Sequence, residues 1–262
     1  MKTKTIAAIL VTVISFHANA QLMSLKSKDF YIQYEECVAD YAIASQKILE
    51  LVKRNAIDLG FALPKRIHLK IVKSEKNRLY FDIKNPNSIT WEFKSLNDFL
   101  SPKESGYNNI YGLCHEMGHV CMFNITPHKN NWMTRDYREG WADFFGNLMI
   151  DSLHETLGTG FWPDPHNYLE YAGMQYFADR IETDTTIQNA SFNYSSSFWY
   201  NLCAHMGIEN ISSFFRSVKS SKVRNPHCET KFLAVLKQYN LDMEFIADVN
   251  ENLDFLLLME PE

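Results

Sequence analysis

Hydrophobic positions along the chain change their period, and the changes mark out the elements. From residue 32 to 59, Tyr34, Val38, Tyr41, Ile48, Leu51 and Val52 recur at helical spacing until Gly60 interrupts them, so a helix is predicted over 32–59. The period then shortens. Ile67 to Val72, Leu79 to Ile83 and Ile89 to Phe93 alternate or cluster β-branched and aromatic residues, separated by turn-rich pieces such as Lys84-Asn85-Pro86-Asn87. These predict the strands of a small sheet. From about residue 109 the pattern is helical almost throughout, with helices expected near 110–123, 135–157, 168–181, 196–206, 208–219, 229–239 and 243–257. The order of elements predicts an α+β fold: a small N-terminal helix-plus-sheet lobe over 21–124, a mostly helical C-terminal lobe over 125–262, and the helix near 110–123 between them. No repeat, low-complexity stretch or Pro/Gly/Ser linker divides the chain, so residues 21–262 are expected to form a single domain with a site between its lobes.

The first 20 residues follow another rule. Lys2 and Lys4 precede the apolar stretch Ile6 to Phe16, and Ala18-Asn19-Ala20 precedes Gln21, which is the order of a signal peptide cleaved after Ala20. The apolar stretch is too short to cross a hydrocarbon core of ~30 Å, and no later run approaches the ~20 residues a spanning helix needs. A secreted or periplasmic protein with no membrane partner is therefore expected. Removing Lys2 and Lys4 leaves 24 basic against 31 acidic residues, a formal charge of −7. That balance provides no whole-domain basic field for nucleic acid. The five cysteines, Cys37, Cys114, Cys121, Cys203 and Cys228, are odd in number. Seven residues apart on one helix, Cys114 and Cys121 would stand about 10 Å from each other, too far for a disulfide. They are expected to be buried small hydrophobes.

The predicted helix near 110–123 carries His115-Glu116-Met117-Gly118-His119. A 3.6-residue turn puts His115 and His119 on one face, about 6 Å apart, where two imidazole nitrogens can reach one Zn²⁺. Glu116 projects beside them. In such a site Zn²⁺ lowers the pKa of water from 15.7 to about 7, and the carboxylate takes the proton and later passes it to the leaving amine. A shuffled chain with 9 His and 17 Glu in 262 residues would show this pattern about 0.02 times. A third ligand is available downstream in Arg138-Glu139-Gly140-Trp141-Ala142-Asp143-Phe144-Phe145. Glu139 and Asp143 are four apart on a helix, so the first can coordinate the metal while the second holds the other ring nitrogen of a ligand histidine. Gly146 continues that face and allows the two helices to approach closely, whereas Trp141, Phe144 and Leu148 lie on other faces and are expected in the core. A histidine six residues after His119 would mark the metzincins, and that position is Ile125.

These residues resemble the gluzincin metallopeptidases, the thermolysin-like superfamily that combines HExxH with a downstream glutamate helix. The string from Glu139 to Phe145, followed by a Tyr-led aromatic helix, is most similar to the plant basic secretory protein family. The resemblance covers roughly residues 108–220 and implies a zincin-like domain with one catalytic zinc at His115, His119 and Glu139. It implies Glu116 as general base and acid, and Asp143 behind a ligand histidine. It also implies a strand that binds extended protein or peptide substrate by edge pairing, for which Ile89 to Phe93 is the candidate. Tyr194 to Tyr200 is similar to the Tyr-x-x-Gly-x-x-Phe segment of gluzincin aminopeptidases, which implies Tyr194 as the donor to the oxyanion. No Gly-x-Met-x-Asn segment precedes the first helix, so an endopeptidase is expected.

The leading expectation is thus an exported zinc metallopeptidase. Two alternatives stand beside it. One is a zinc hydrolase of non-peptide substrates, its pocket shaped by Gly158 to Asn167. The other is a non-catalytic binding or defence protein stabilised by zinc, which an intact Glu116 argues against because a structural zinc needs no base.

Overall fold

The computed structural model of the chain describes residues 22–99, 109–125, 135–156, 173–174 and 190–220. The expected signal peptide, the helices expected near 229–239 and 243–257, all but two residues of the one expected near 168–181, the segment from Gly158 to Asn167 and Cys228 lie outside the described residues.

The described residues form a mixed α+β structure. Five strands, β1 (Met23–Lys26), β2 (Phe30–Tyr34), β3 (Ile67–Lys73), β4 (Arg78–Phe81) and β5 (Ser88–Phe93), make one sheet in the order β1-β2-β3-β5-β4. β2, β3 and β5 run parallel, while β1 and β4 are antiparallel to their neighbours. The period-two pattern explains which face is covered. Phe30, Ile32, Ile67, Leu69, Ile71, Ile89 and Phe93 are buried on one side, while His68 and Lys70 point the other way into solvent. The parallel step from β2 to β3 is made by α1 (Ala39–Asp58), which lays Ala42, Ile48, Leu49, Val52 and Ala56 into the core. Gly60, at φ 85°, ends α1: its N–H and that of Phe61 donate to the carbonyls of Ile57 and Ala56.

Two expectations are corrected here. The helix predicted over 32–59 begins at Ala39, because residues 30–34 are strand β2 and Glu36–Val38 form a 3-10 turn. Tyr34, Val38 and Tyr41 fit a helical period, yet Phe30, Ile32 and Tyr34 also alternate. Pairing with β3 decides between the two. The second correction concerns the substrate strand. β5 lies inside the sheet, hydrogen-bonded to β3 on one side and β4 on the other, so Ile89 to Phe93 has no open edge. The edge on that side of the sheet is β4, which folds back outside the strand that follows it in sequence.

Four further helices, α2 (Asn109–Ile125), α3 (Arg135–Thr156), α4 (Ala190–Met206) and α5 (Ile208–Ser220), match the predicted ones closely, except that α4 starts six residues earlier than expected. They close around Trp141. Its indole meets Phe61, Phe144, Phe145, Trp199 and Phe215 at centroid distances of 5.5, 5.8, 5.8, 5.2 and 4.7 Å. Its N–H donates to the carbonyl of Gly118 at 3.0 Å, so one side chain of α3 ties α2, α4 and α5 together. Sheet, α1 and these helices share a continuous hydrophobic core.

Candidate metal centre and its cleft

Two glycines bring α2 and α3 together. A Cβ on Gly118 would stand 2.8 Å from the Cα of Ala142, and one on Gly146 would stand 3.3 Å from the Cα of His115. Side chains on the facing surfaces therefore meet at short range. Every described residue of α2 from Ile110 to Phe123 is buried, including His115, Glu116 and His119. A buried polar group needs a partner, and each of these has one.

From α3, Glu139 Oε2 lies 3.5 Å from His115 Nε2 and 3.3 Å from His119 Nε2. The imidazole rings are 5.0 Å apart and nearly perpendicular. One donor atom from each of His115, His119 and Glu139 falls within 4.8 Å of the others, so the three could hold a metal ion. Donor spacing supports the fit: around a tetrahedral ion with bonds of about 2.0–2.1 Å, neighbouring donors stand about 3.3 Å apart. Asp143, also on α3, sits on the far side of His115 with Oδ1 3.2 Å from Nδ1. With Nδ1–H donating to that carboxylate, Nε2 is the ring nitrogen that faces Glu139.

Asp143 is itself held from three sides. Tyr111 donates its hydroxyl to Oδ1, Ser196 on α4 donates to Oδ2 at 3.3 Å, and both side chains are buried. Neither residue was singled out from the sequence. Tyr111 stands one turn before His115 on the same helical face, a spacing that could have pointed to it. Ser196 comes from 53 residues downstream and leaves no local signal.

Charge follows geometry. Burial alone would discharge His115, but hydrogen bonds to the carboxylates of Asp143 and Glu139 outweigh it and push its imidazole up to about 10. Burial works in the opposite sense on Glu139, and hydrogen bonds to the two imidazoles overcome it, holding the carboxyl well below the usual range. Glu116 differs. Desolvation dominates and raises it, opposed by the nearby imidazoles and by a hydrogen bond from the backbone of Phe81. A carboxyl raised above its ordinary value is a better proton acceptor, which is what a general base requires. Cys114 and Cys121 are buried thiols pushed upward by desolvation, as expected for core residues, and both are free.

A cleft of about 570 Å³ opens onto His115, Glu116, His119 and Glu139. Asn77 and the edge strand β4 line it as well, together with Phe123 and Arg138. Phe81 packs its ring 5.7 Å from that of His119 and 4.7 Å from that of Phe123. Tyr194 lies on the backbone of α4, and its side chain falls outside the described residues. Among the described residues no helix is long and apolar enough to cross a membrane.

No protein-family model and no curated protein matches the chain.

Proposed function

We propose that this is an exported zinc metallopeptidase with a gluzincin-type site on a zincin-like two-lobed domain. The observation that carries the reading is the carboxylate of Glu139 lying within 3.5 Å of both imidazoles, with Glu116 buried beside them and facing the same cleft. His115, His119 and Glu139 would hold the zinc, since two neutral imidazoles and a carboxylate suit it and leave a position open. A zinc ion held there supplies Lewis acidity at neutral pH, which peptide hydrolysis needs.

The chain's own residues do the rest. Glu116 accepts a proton on its carboxylate and returns it to the departing amine, and the Phe81 backbone keeps that carboxylate aimed into the cleft. Asp143 fixes the orientation and tautomer of His115. Strand β4 takes the role first expected of β5: an extended substrate would add to its outer edge and cross the cleft beside Glu116. Tyr194, carried on α4, is the proposed donor to the oxyanion. An intact, raised Glu116 favours hydrolysis over a binding role, because a purely structural metal has no use for it.

The experiment is a paired measurement on purified protein. The wild type should carry about one zinc per chain and digest a denatured protein mixture. Glu116→Gln should keep the metal and lose activity by about 10²–10⁴-fold. Digestion that survives the substitution removes the mechanism, and a wild type that digests nothing removes the peptidase reading.

A further inference from the structure

We infer that Ser196 is a positioning residue for the metal site: through Asp143 its hydroxyl ties the ligand His115 to α4, so that metal binding and the seating of α4 strengthen each other. The inference rests on the reading of His115, His119 and Glu139 as a metal site and adds to it a helix that sets its affinity. The two oxygens of Asp143 face different helices. Oδ1 accepts from Tyr111 and lies 3.2 Å from His115 Nδ1, both on α2, whereas Oδ2 accepts from Ser196 on α4 at 3.3 Å. Tyr111 and His115 are four apart on one helix, so the backbone of α2 fixes their spacing. Ser196 has no such tether. It lies 53 residues beyond Asp143 and reaches the carboxylate only when α4 is packed against α3.

An apolar bridge runs beside this polar one. Trp199, three residues on from Ser196 and so on the same side of α4, packs its ring 5.2 Å from that of Trp141. Trp141 stands two residues before Asp143 on α3, and its N–H donates to the carbonyl of Gly118, the residue before His119. Helix α4 thus reaches α2 twice through α3, once by an indole that ends beside His119 and once by a carboxylate that ends on His115. The two bridges differ in kind. Apolar contact is non-directional and holds the helix against small displacements, whereas a hydrogen bond weakens steeply once its donor swings out of line. Ser196 and Asp143 are 0% and 2% exposed, so bulk water does not stand in for the hydroxyl when it moves. A shift of α4 is therefore felt by the carboxylate, and through it by the orientation of His115. Coupling between two sites is reciprocal in free energy: if the hydroxyl raises affinity for the ion, the ion draws α4 onto α3 by the same factor.

The test measures zinc affinity of the full chain by competition with a chelator of known affinity. Ser196→Ala should weaken zinc binding about 3–10-fold, less than the 10–100-fold typical of a group that touches the ligand itself. Ser196→Thr keeps the hydroxyl and should recover most of that loss. Leu202→Val trims the buried side of the same helix without touching Asp143, so it should lower the denaturant midpoint and leave the zinc constant in place. Amide hydrogen exchange reads the reciprocal effect. Zinc should slow exchange in α4 more in the wild type than in Ser196→Ala, with α1 as the internal reference. A zinc constant unmoved by Ser196→Ala, an equal loss in Leu202→Val, a loss that Ser196→Thr does not reduce, or zinc-induced protection of α4 that is the same in both proteins overturns the inference and leaves the proposed function standing. A wild type that holds no zinc overturns both. Zinc affinity that follows Ser196 in a chain that digests nothing upholds the inference and removes only the peptidase reading.

Discussion

Two buried polar clusters among the described residues differ in what they leave open. On α1, Lys53 is buried, and its ammonium donates to Asp29 at 2.8 Å and to the carbonyls of Pro64 and Lys65 at 2.9 and 3.0 Å. An ammonium has three donors, and here three acceptors meet them. That cluster is closed, and it clips the start of β2, the end of α1 and the entry to β3 to one another. The cluster shared by α2 and α3 gathers two imidazoles and two carboxylates whose inner atoms face a common cleft. Its outer side is as closed as Lys53, since Asp143 meets His115, Tyr111 and Ser196. Burial with every partner supplied makes a structural lock. Burial with the partners on one side only makes a site.

The sharpest way to test that contrast is to break the lock. Lys53→Met should lower the free energy of unfolding by about 3 kcal/mol, because two buried carbonyls lose their donor while Asp29 turns to water. The shift in denaturant midpoint measures it, and the zinc dissociation constant should stay where it was. Asp143→Asn should do the reverse. It replaces an acceptor that faces several donors, so zinc affinity should fall about 10–100-fold with a smaller change in midpoint, read by competition with a chelator of known affinity. A zinc constant that moves with Lys53 instead would erase the distinction.

The smallest expected effect is one of pH. In the metal-free chain the raised His115 contributes stability that is full below its ordinary value of 6.5 and is lost as pH climbs through about 10. The lowered Glu139 contributes stability that is full above its ordinary 4.5 and is lost as pH falls through its depressed value. The two contributions coexist fully between those ordinary values. Zinc must displace the proton on His115, so affinity should rise by about tenfold per pH unit below pH 10, with about one proton released per ion bound. Calorimetry in two buffers of different ionisation enthalpy measures that proton directly. Affinity that is flat between pH 6 and 8 would mean that His115 is already neutral in the metal-free chain.

What could be read beforehand, and what could not, follows the range of each interaction. His115, Glu116 and His119 were legible as a group because four residues on a helix return to the same face whatever surrounds them. Glu139 and Asp143 were legible for the same reason, and Gly146 pointed to a close approach of the two helices. Strand β2 was hidden inside a longer apolar run, since Tyr34 and Val38 satisfy two periods at once. That β5 is internal could not be read locally, because β4 precedes β5 in the chain yet lies outside it in the sheet.

The amino-acid order by itself determined local faces: which side of α2 carries imidazoles, which side of α3 carries carboxylates, and which residues of the strands turn inward. Those follow from backbone periodicity, which needs no partner. Tertiary structure alone decided that the two faces meet across Gly118 and Gly146, that Ser196 reaches Asp143, and that β4 is the strand beside Glu116. Such contacts join segments far apart in sequence, and the whole core has to assemble before any of them can form.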